Sequence, residues 1–216
     1  MTDFLRPVRL VVFTRYPDPG KTKTRLIPGL GAEGAADLQR QMTEYGLATA
    51  QAWQQGGEVS QRQIVVLTAG GTPKKFRAWL GDRYPLYPQA DGDLGDRMGQ
   101  ALAEGFEAGC GRIVIIGIDC PDITAELLSR AFEALERHDL VLGPATDGGY
   151  YLIGLRASAQ AQAVPELFRS MPWGQETVLA ITLERAASQN LSLALLEELT
   201  DVDYPEDLWV WEKHRR

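Results

Sequence analysis

Ile113-Val-Ile-Ile-Gly-Ile-Asp-Cys-Pro-Asp-Ile-Thr124 is the stretch that decides how this chain folds. Five of its first six residues are β-branched aliphatics. Such a segment cannot alternate inside and outside, so a strand built from it must be covered on both faces, as in a parallel α/β sheet. Asp119 follows at the strand's carboxyl end. Open α/β sheets bind ligands at that edge, and a carboxylate there can hold a divalent cation against phosphates. Position alone makes Asp119 a candidate metal ligand.

Outward from that strand, short apolar runs alternate with longer helical patterns. Val8 to Thr14, Gln63 to Ala69, Arg112 to Ile118 and Leu140 to Gly143 read as strands. About 20 residues from Ala32, then Thr72 to Leu80, Leu94 to Ala108 and Ala125 to Arg137, read as helices. This βαβα alternation predicts an α/β fold with a mostly parallel central sheet and helices on both faces. Beyond Pro144 the pattern loosens: Tyr150 to Leu155 and Leu191 to Leu195 read as strands, Gln175 to Ser188 and Glu206 to Lys213 as helices. With no internal repeat and no long linker, residues 1–216 read as a single domain.

A chain of 216 residues with 44% hydrophobic and 24% charged residues is ordinary globular material, able to bury a full core without staples. Its formal charge of −7 argues against nucleic acid or an anionic membrane as a partner, since both require a basic footprint. Cys110 and Cys120 are the two cysteines and flank one strand, which suits reduced thiols in the cytoplasm better than a disulfide. Leu10 to Phe13 is too short for a secretory core, and no apolar run approaches the roughly 20 residues of a membrane span.

The loop after the first strand, Phe13-Thr-Arg-Tyr-Pro-Asp-Pro-Gly-Lys-Thr22, ends like a Walker A motif. Arg15 stands where that motif needs its first glycine, and Pro17 and Pro19 have no N–H to offer a phosphate, which argues against an NTPase P-loop. The cations Lys21, Lys23 and Arg25 remain. Three of them within five residues beyond a strand's carboxyl end suit a diphosphate or triphosphate; the alternative is an exposed basic turn. Asp122, just before a helical pattern, reads as an N-cap or first-turn acid, and Cys120 as a small packing residue. His138 and His214 are not placed for acid–base work.

Thr146-Asp-Gly-Gly149 reads either as a hairpin turn or as a glycine turn that lets backbone amides approach a ligand. Of Tyr150 and Tyr151, one should face the core and the other could stack on a ring. Gly92-Asp-Leu-Gly-Asp-Arg-Met98 feeds a helix whose N-terminus, with Gly95 and Arg97, could meet a nucleotide, while Asp93 and Asp96 suit helix-start chemistry. Asp203, with Pro205 and Glu206 after it, spells a capping box. Trp173, between helix breakers, suits a pocket wall or the core. Leu208-Trp-Val-Trp211 is apolar enough to pack on its own core or across a homodimer.

Five motifs in order carry a resemblance: Pro17-Asp-Pro-Gly-Lys-Thr-Lys-Thr-Arg-Leu26, Gly92 to Met98, Gly117-Ile-Asp-Cys-Pro121, Gly143-Pro-Ala-Thr-Asp-Gly-Gly-Tyr-Tyr-Leu-Ile-Gly154 and Asp201-Val-Asp-Tyr-Pro-Glu-Asp-Leu208. Together they resemble the GT-A-like glycosyltransferase family of the radical-SAM/selenodomain-associated type. That family is related in fold to 2-phospholactate guanylyltransferase and molybdenum cofactor guanylyltransferase. The resemblance covers almost the whole chain. It implies a GT-A-like nucleotide-diphospho-sugar transferase fold and a metal-dependent transferase using Mg²⁺ or Mn²⁺. The donor would be a nucleoside diphosphate sugar and the acceptor a small molecule; alternatives are nucleotidyl transfer from a nucleoside triphosphate and non-catalytic nucleotide binding. Asp119 would be a metal ligand, with Asp203 beside it by similarity to the late Asp of sugar-nucleotide cytidylyltransferases. Lys21, Lys23 and Arg25 would face the phosphates, with Lys23 also catalytic. By similarity to the guanylyltransferases, Asp147, Gly148 and Gly149 would lie on the acceptor side, Asp147 acting on an acceptor hydroxyl.

Overall fold

The computed structural model describes residues 6–58, 60–159, 164 and 166–214. Seven strands are present among them: β1 (Val8–Arg15), β2 (Arg62–Ala69), β3 (Leu86–Pro88), β4 (Arg112–Ile116), β5 (Leu140–Pro144), β6 (Tyr150–Arg156) and β7 (Leu193–Leu195). They form one sheet in the order β3-β2-β1-β4-β6-β5-β7. β1 pairs in parallel with β2 and β4, β2 with β3, and β5 with β7, whereas β6 runs antiparallel to both β4 and β5. The expected mostly parallel sheet is present, with one reversed strand. The three-residue β3 was not legible because it offers too few residues for a period.

β4 sits at the middle of the sheet and is covered on both sides, as its composition requires. Val114 and Ile116 join one core with α1 (Ile27–Gln55) and α4 (Ala125–Ala134). Ile113 and Ile115 join the other with α3 (Leu94–Glu107) and α5 (Val178–Ser188). The period of two thus survives in β4, but both faces are apolar. α2 (Pro73–Leu80) follows β2, with Thr72 as its N-cap. A single 3₁₀ turn, Pro205–Asp207, leads into the short α6 (Leu208–Glu212). Val210 and Trp211 are buried in the molecule's own core, while Trp209 is exposed beneath Lys213, whose Nζ lies 4.1 Å from the ring centroid. Among the described residues no helix is long and apolar enough to cross a membrane.

Candidate functional site

The carboxyl ends of β1 and β4, the loop after β1, the β5–β6 turn and residues 201–203 enclose a cavity of about 760 Å³. That is within the roughly 300–1,000 Å³ typical of small-molecule sites. Its walls carry Arg15, Lys21, Lys23 and Arg25 on one side of the charge balance and Asp119, Asp147, Asp201 and Asp203 on the other. The loop bearing the cations is pinned from outside. Tyr16 packs edge-on against Phe76 and Trp79, and Lys75 lies 4.9 Å above the Tyr16 ring and 3.3 Å from Asp18 Oδ1.

Lys23 adopts φ 42° and ψ 47°, a left-handed conformation that costs a non-glycine residue roughly 1–2 kcal/mol. Its side chain explains why the strain is tolerated. Lys23 Nζ donates to Asp119 Oδ1 and to the Val202 carbonyl, both at 2.7 Å, and lies 3.9 Å from Asp203 Oδ1. The Val202 N–H in turn donates to the Asp119 carbonyl at 2.8 Å, tying the late segment to the loop after β4. Arg25 Nη1 donates to Asp203 Oδ2 at 3.1 Å and its guanidinium covers the Tyr204 ring. Burial and the nearby Asp119 raise the Asp203 carboxyl above its ordinary range, against the opposing pull of Lys23 and Arg25.

The expected Asp203–Glu206 capping box is absent. Asp207 accepts from the backbone N–H groups of Asp203 and Tyr204 instead, at 3.2 and 2.8 Å, because the chain enters a 3₁₀ turn and not a full helix. The Asp203 side chain is thereby free to turn to Lys23 and Arg25. Asp201, which the sequence reading passed over, is also in the wall. It accepts from the Cys120 thiol, and burial followed by the Asp119, Asp147 and Asp203 charges pushes its carboxyl up to about 7. Its signal was present: Asp201 and Asp203 flank the fully buried Val202, and on extended chain residues two apart share a face. Burial, followed by Asp201, drives the Cys120 thiol far upward, consistent with packing and not nucleophilic chemistry.

The turn after β5 combines the two readings that its sequence allowed. Since β6 is antiparallel to β5, Asp147-Gly148-Gly149 is a true hairpin turn, and it still faces the ligand edge. Asp147 Oδ1 accepts from the Gly149 N–H at 2.8 Å, and both residues line the cavity. Gly148 is not on its wall: with φ +85° it packs against the Glu176 backbone. Tyr150, Tyr151 and Trp173 all reach the cavity; the Tyr151 hydroxyl is committed to the Glu197 carbonyl, and Trp173 packs edge-on to Tyr150.

Gly95 and Arg97 also lie off the cavity wall. Gly95 is buried where a Cβ would come within 2.8 Å of Phe168 and 3.0 Å of Trp173, and Arg97 folds back onto Gly92 O and Gln89 Oε1. Asp93 and Asp96 form a reciprocal capping box at the start of α3. Asp122 is not the cap of α4, since Thr124 accepts from the Leu127 N–H; Asp122 instead meets His214 Nε2 at 2.7 Å. Two glutamines missed in sequence shape the other end. Buried Gln39 donates to the Arg15 carbonyl at 3.2 Å, and Gln89 to the Leu67 carbonyl at 3.1 Å. A glutamine on the buried face of α1 was the available signal.

A mostly parallel sheet whose carboxyl edge sets a basic loop against carboxylates defines a GT-A-like α/β protein, and solved structures agree. A protein from Desulfovibrio desulfuricans G20, assigned as a nucleotide-diphospho-sugar transferase, is 33% identical with a TM-score of 0.87 over 99% of this chain and 88% of its own. A nucleotidyl transferase from Methanothermobacter thermautotrophicus aligns with a TM-score of 0.64 at 16% identity over 96% and 97% of the two chains. CMP:2-keto-3-deoxy-manno-octonic acid synthetase, solved with CTP, aligns at 0.60 and 13% over 96% and 98%. These last two share the fold. No curated protein sequence matches the chain. The chain belongs to the DUF2064 family, described as uncharacterized protein conserved in bacteria, whose model matches residues 49–175.

Proposed function

We propose that this protein is a metal-dependent transferase that moves a glycosyl group from a nucleoside diphosphate sugar to a small acceptor. The observation that carries the reading is the constellation of Lys23, Arg25, Asp119 and Asp203 on one cavity wall. Among the described residues no three His, Cys, Asp or Glu side chains stand together as a complete metal cage. Mg²⁺ does not need one: it characteristically takes one or two carboxylates and completes its shell with phosphate oxygens and water. Asp119 and Asp203, 46% and 34% exposed, are hard oxygen donors of that kind and would hold Mg²⁺ or Mn²⁺. When bound, the ion would neutralise charge on the leaving diphosphate.

The chain's own residues divide the remaining work. Lys21, Lys23 and Arg25 supply fixed positive charge for the phosphates, where developing negative charge is stabilised without reorganisation. Asp147, held in orientation by the Gly149 N–H, would position or deprotonate an acceptor hydroxyl. Trp173 and Tyr150 would wall the acceptor. The D. desulfuricans relative supports the donor class. The free, buried Cys110 and Cys120 suit a reducing compartment such as the cytoplasm.

Thermal-shift measurements against UDP-, GDP-, CDP- and ADP-sugars and nucleoside triphosphates, with and without Mn²⁺, test the proposal. A nucleotide sugar should stabilise the protein in a Mn²⁺-dependent way, and Asp119→Ala should remove the metal-dependent part. Stabilisation by no nucleotide would sink the transferase reading. A response to triphosphates alone would redirect it to nucleotidyl transfer, in which the basic loop grips a triphosphate and pyrophosphate leaves.

A further inference from the structure

The two carboxylates assigned to the metal already share a cation. Lys23 Nζ lies 2.7 Å from Asp119 Oδ1 and 3.9 Å from Asp203 Oδ1. Its side chain is 4% exposed against 46% for Asp119, so the ammonium sits beneath a carboxylate that opens outward. The position is fixed by a second hydrogen bond to the Val202 carbonyl at 2.7 Å and by the left-handed backbone of Lys23 itself. Arg25 occupies the other oxygen of Asp203. The formal charges of Asp119 and Asp203 are thus matched within the protein. Of the remaining cavity carboxylates, Asp201 accepts from the Cys120 thiol and Asp147 from the Gly149 N–H.

We infer that Lys23 is a built-in counter-ion that makes divalent-cation binding conditional on the nucleotide. This rests on the transferase reading. A divalent ion entering alone would meet an ammonium that is itself shielded from water and already within hydrogen-bonding distance of the carboxylate, and the repulsion opposes binding. A nucleoside diphosphate brings the missing negative charge. Its phosphates give the ammonium a second anionic partner and leave Asp119 able to accept the metal. The order of addition is therefore nucleotide first or metal–nucleotide together, never metal alone. A lysine in this role also keeps Asp119 and Asp203 from repelling one another before substrate arrives, which a metal-first site would require the ion to do.

The test is Mn²⁺ binding, followed by the electron paramagnetic resonance signal of free Mn²⁺ and read as the loss beyond that of protein-free solutions with the same nucleotide, since a diphosphate binds Mn²⁺ by itself. Wild type and Lys23→Met are compared with Mn²⁺ alone and with Mn²⁺ plus UDP, GDP, CDP or ADP. Wild type should take up Mn²⁺ only when one of the diphosphates is present. Lys23→Met should bind Mn²⁺ alone at least about tenfold more tightly than wild type, because the competing charge is gone. Adding Asp119→Ala to that variant should abolish the gain. Lys23→Gln, which keeps a donor for the Val202 carbonyl, guards against a folding defect in the methionine variant, and circular dichroism and a thermal melt check both. Equal Mn²⁺ affinity of wild type with and without diphosphate, or no gain in the two Lys23 variants, overturns the inference alone. No Mn²⁺ uptake by any protein under any condition overturns it together with the metal-dependent transferase reading.

Discussion

Gly148→Ala should cripple the hairpin that carries Asp147, although position 148 does not face the cavity. Gly148 has φ +85°, a region that costs an alanine roughly 1–2 kcal/mol. An added Cβ would land on the Glu176 carbonyl, 2.5 Å from its Cα and 2.6 Å from its carbonyl carbon. Backbone cannot rotate away as a long side chain can. Gly148 is moreover tied on both sides, its N–H donating to Ala145 O at 3.0 Å and its carbonyl accepting from Leu179 N at 2.9 Å. Overpacking of this kind costs typically about 1–3 kcal/mol. The two contributions together are on the order of 3 kcal/mol, or a fall of about 6–12 °C in Tm for a chain of this length. Scanning fluorimetry backed by reversible urea unfolding measures it. Gly149→Ala is the internal control: Gly149 has no positive φ in the structure, and its added Cβ meets only the Asp147 carboxylate, at 3.1 Å, so its loss should be much smaller. A Gly148→Ala protein melting within about 2 °C of wild type would be less than 1 kcal/mol of destabilisation and would refute the close packing of this turn on Glu176.

Two other perturbations probe the same region. Asp201 has a folded-state carboxyl near 7 against an ordinary 3.8, so between those pH values the folded protein binds more protons than the unfolded one. Stability from this group must therefore fall as pH rises from about 4 to about 7, by on the order of 4 kcal/mol at about 1.4 kcal/mol per pH unit. Asp201→Asn should flatten that decline and exceed wild type in stability at pH 8, measured by urea unfolding in EDTA; parallel profiles for the two proteins would contradict the buried-carboxylate account. His214→Ala removes contacts to Asp122 at 2.7 Å and to the Tyr45 hydroxyl at 2.9 Å, and should cost about 1–2 kcal/mol and lower Tm by several degrees. An unchanged melting temperature would show that this clasp from the turn after α6 to α1 and the loop after β4 contributes nothing.

The central strand was legible because its requirement is absolute: Ile113 to Ile116 leave no polar face, and only a sheet interior covered by helices on both sides accepts such a strand. The helices flanking it were legible for the complementary reason, a period of 3.6 carried through enough turns to stand out. β6 was recognised as a strand but not as the reversed one, since direction leaves no mark on the apolar pattern of Tyr150 to Leu155; it is set by the length of the connection from β5. Asp-Gly-Gly did carry that information as a hairpin signal. The same residues equally spelled a glycine turn for a ligand, so the signal did not decide between the two.

The site divides along the same line. Lys21, Lys23, Arg25 and Asp119 stood out because charged groups beyond strand ends are not explained by packing, Asp147 and Asp203 through the family resemblance, and all six line one cavity. Gly95, Arg97 and Gly148 came from motif context, and in each case local geometry consumes the residue: two glycines by close packing, the arginine by its own loop. What one-dimensional reading could not supply is pairing across the chain. Lys23 and Asp119 are separated by 96 residues and Lys23 and Val202 by 179, yet one ammonium joins them. A list of site residues placed a lysine on the phosphate and an aspartate on the metal as independent parts. Their contact makes them one unit whose charge is already neutral, and that coupling, visible only in three dimensions, is what turns a catalogue of candidate ligands into an expectation about the order in which nucleotide and metal bind.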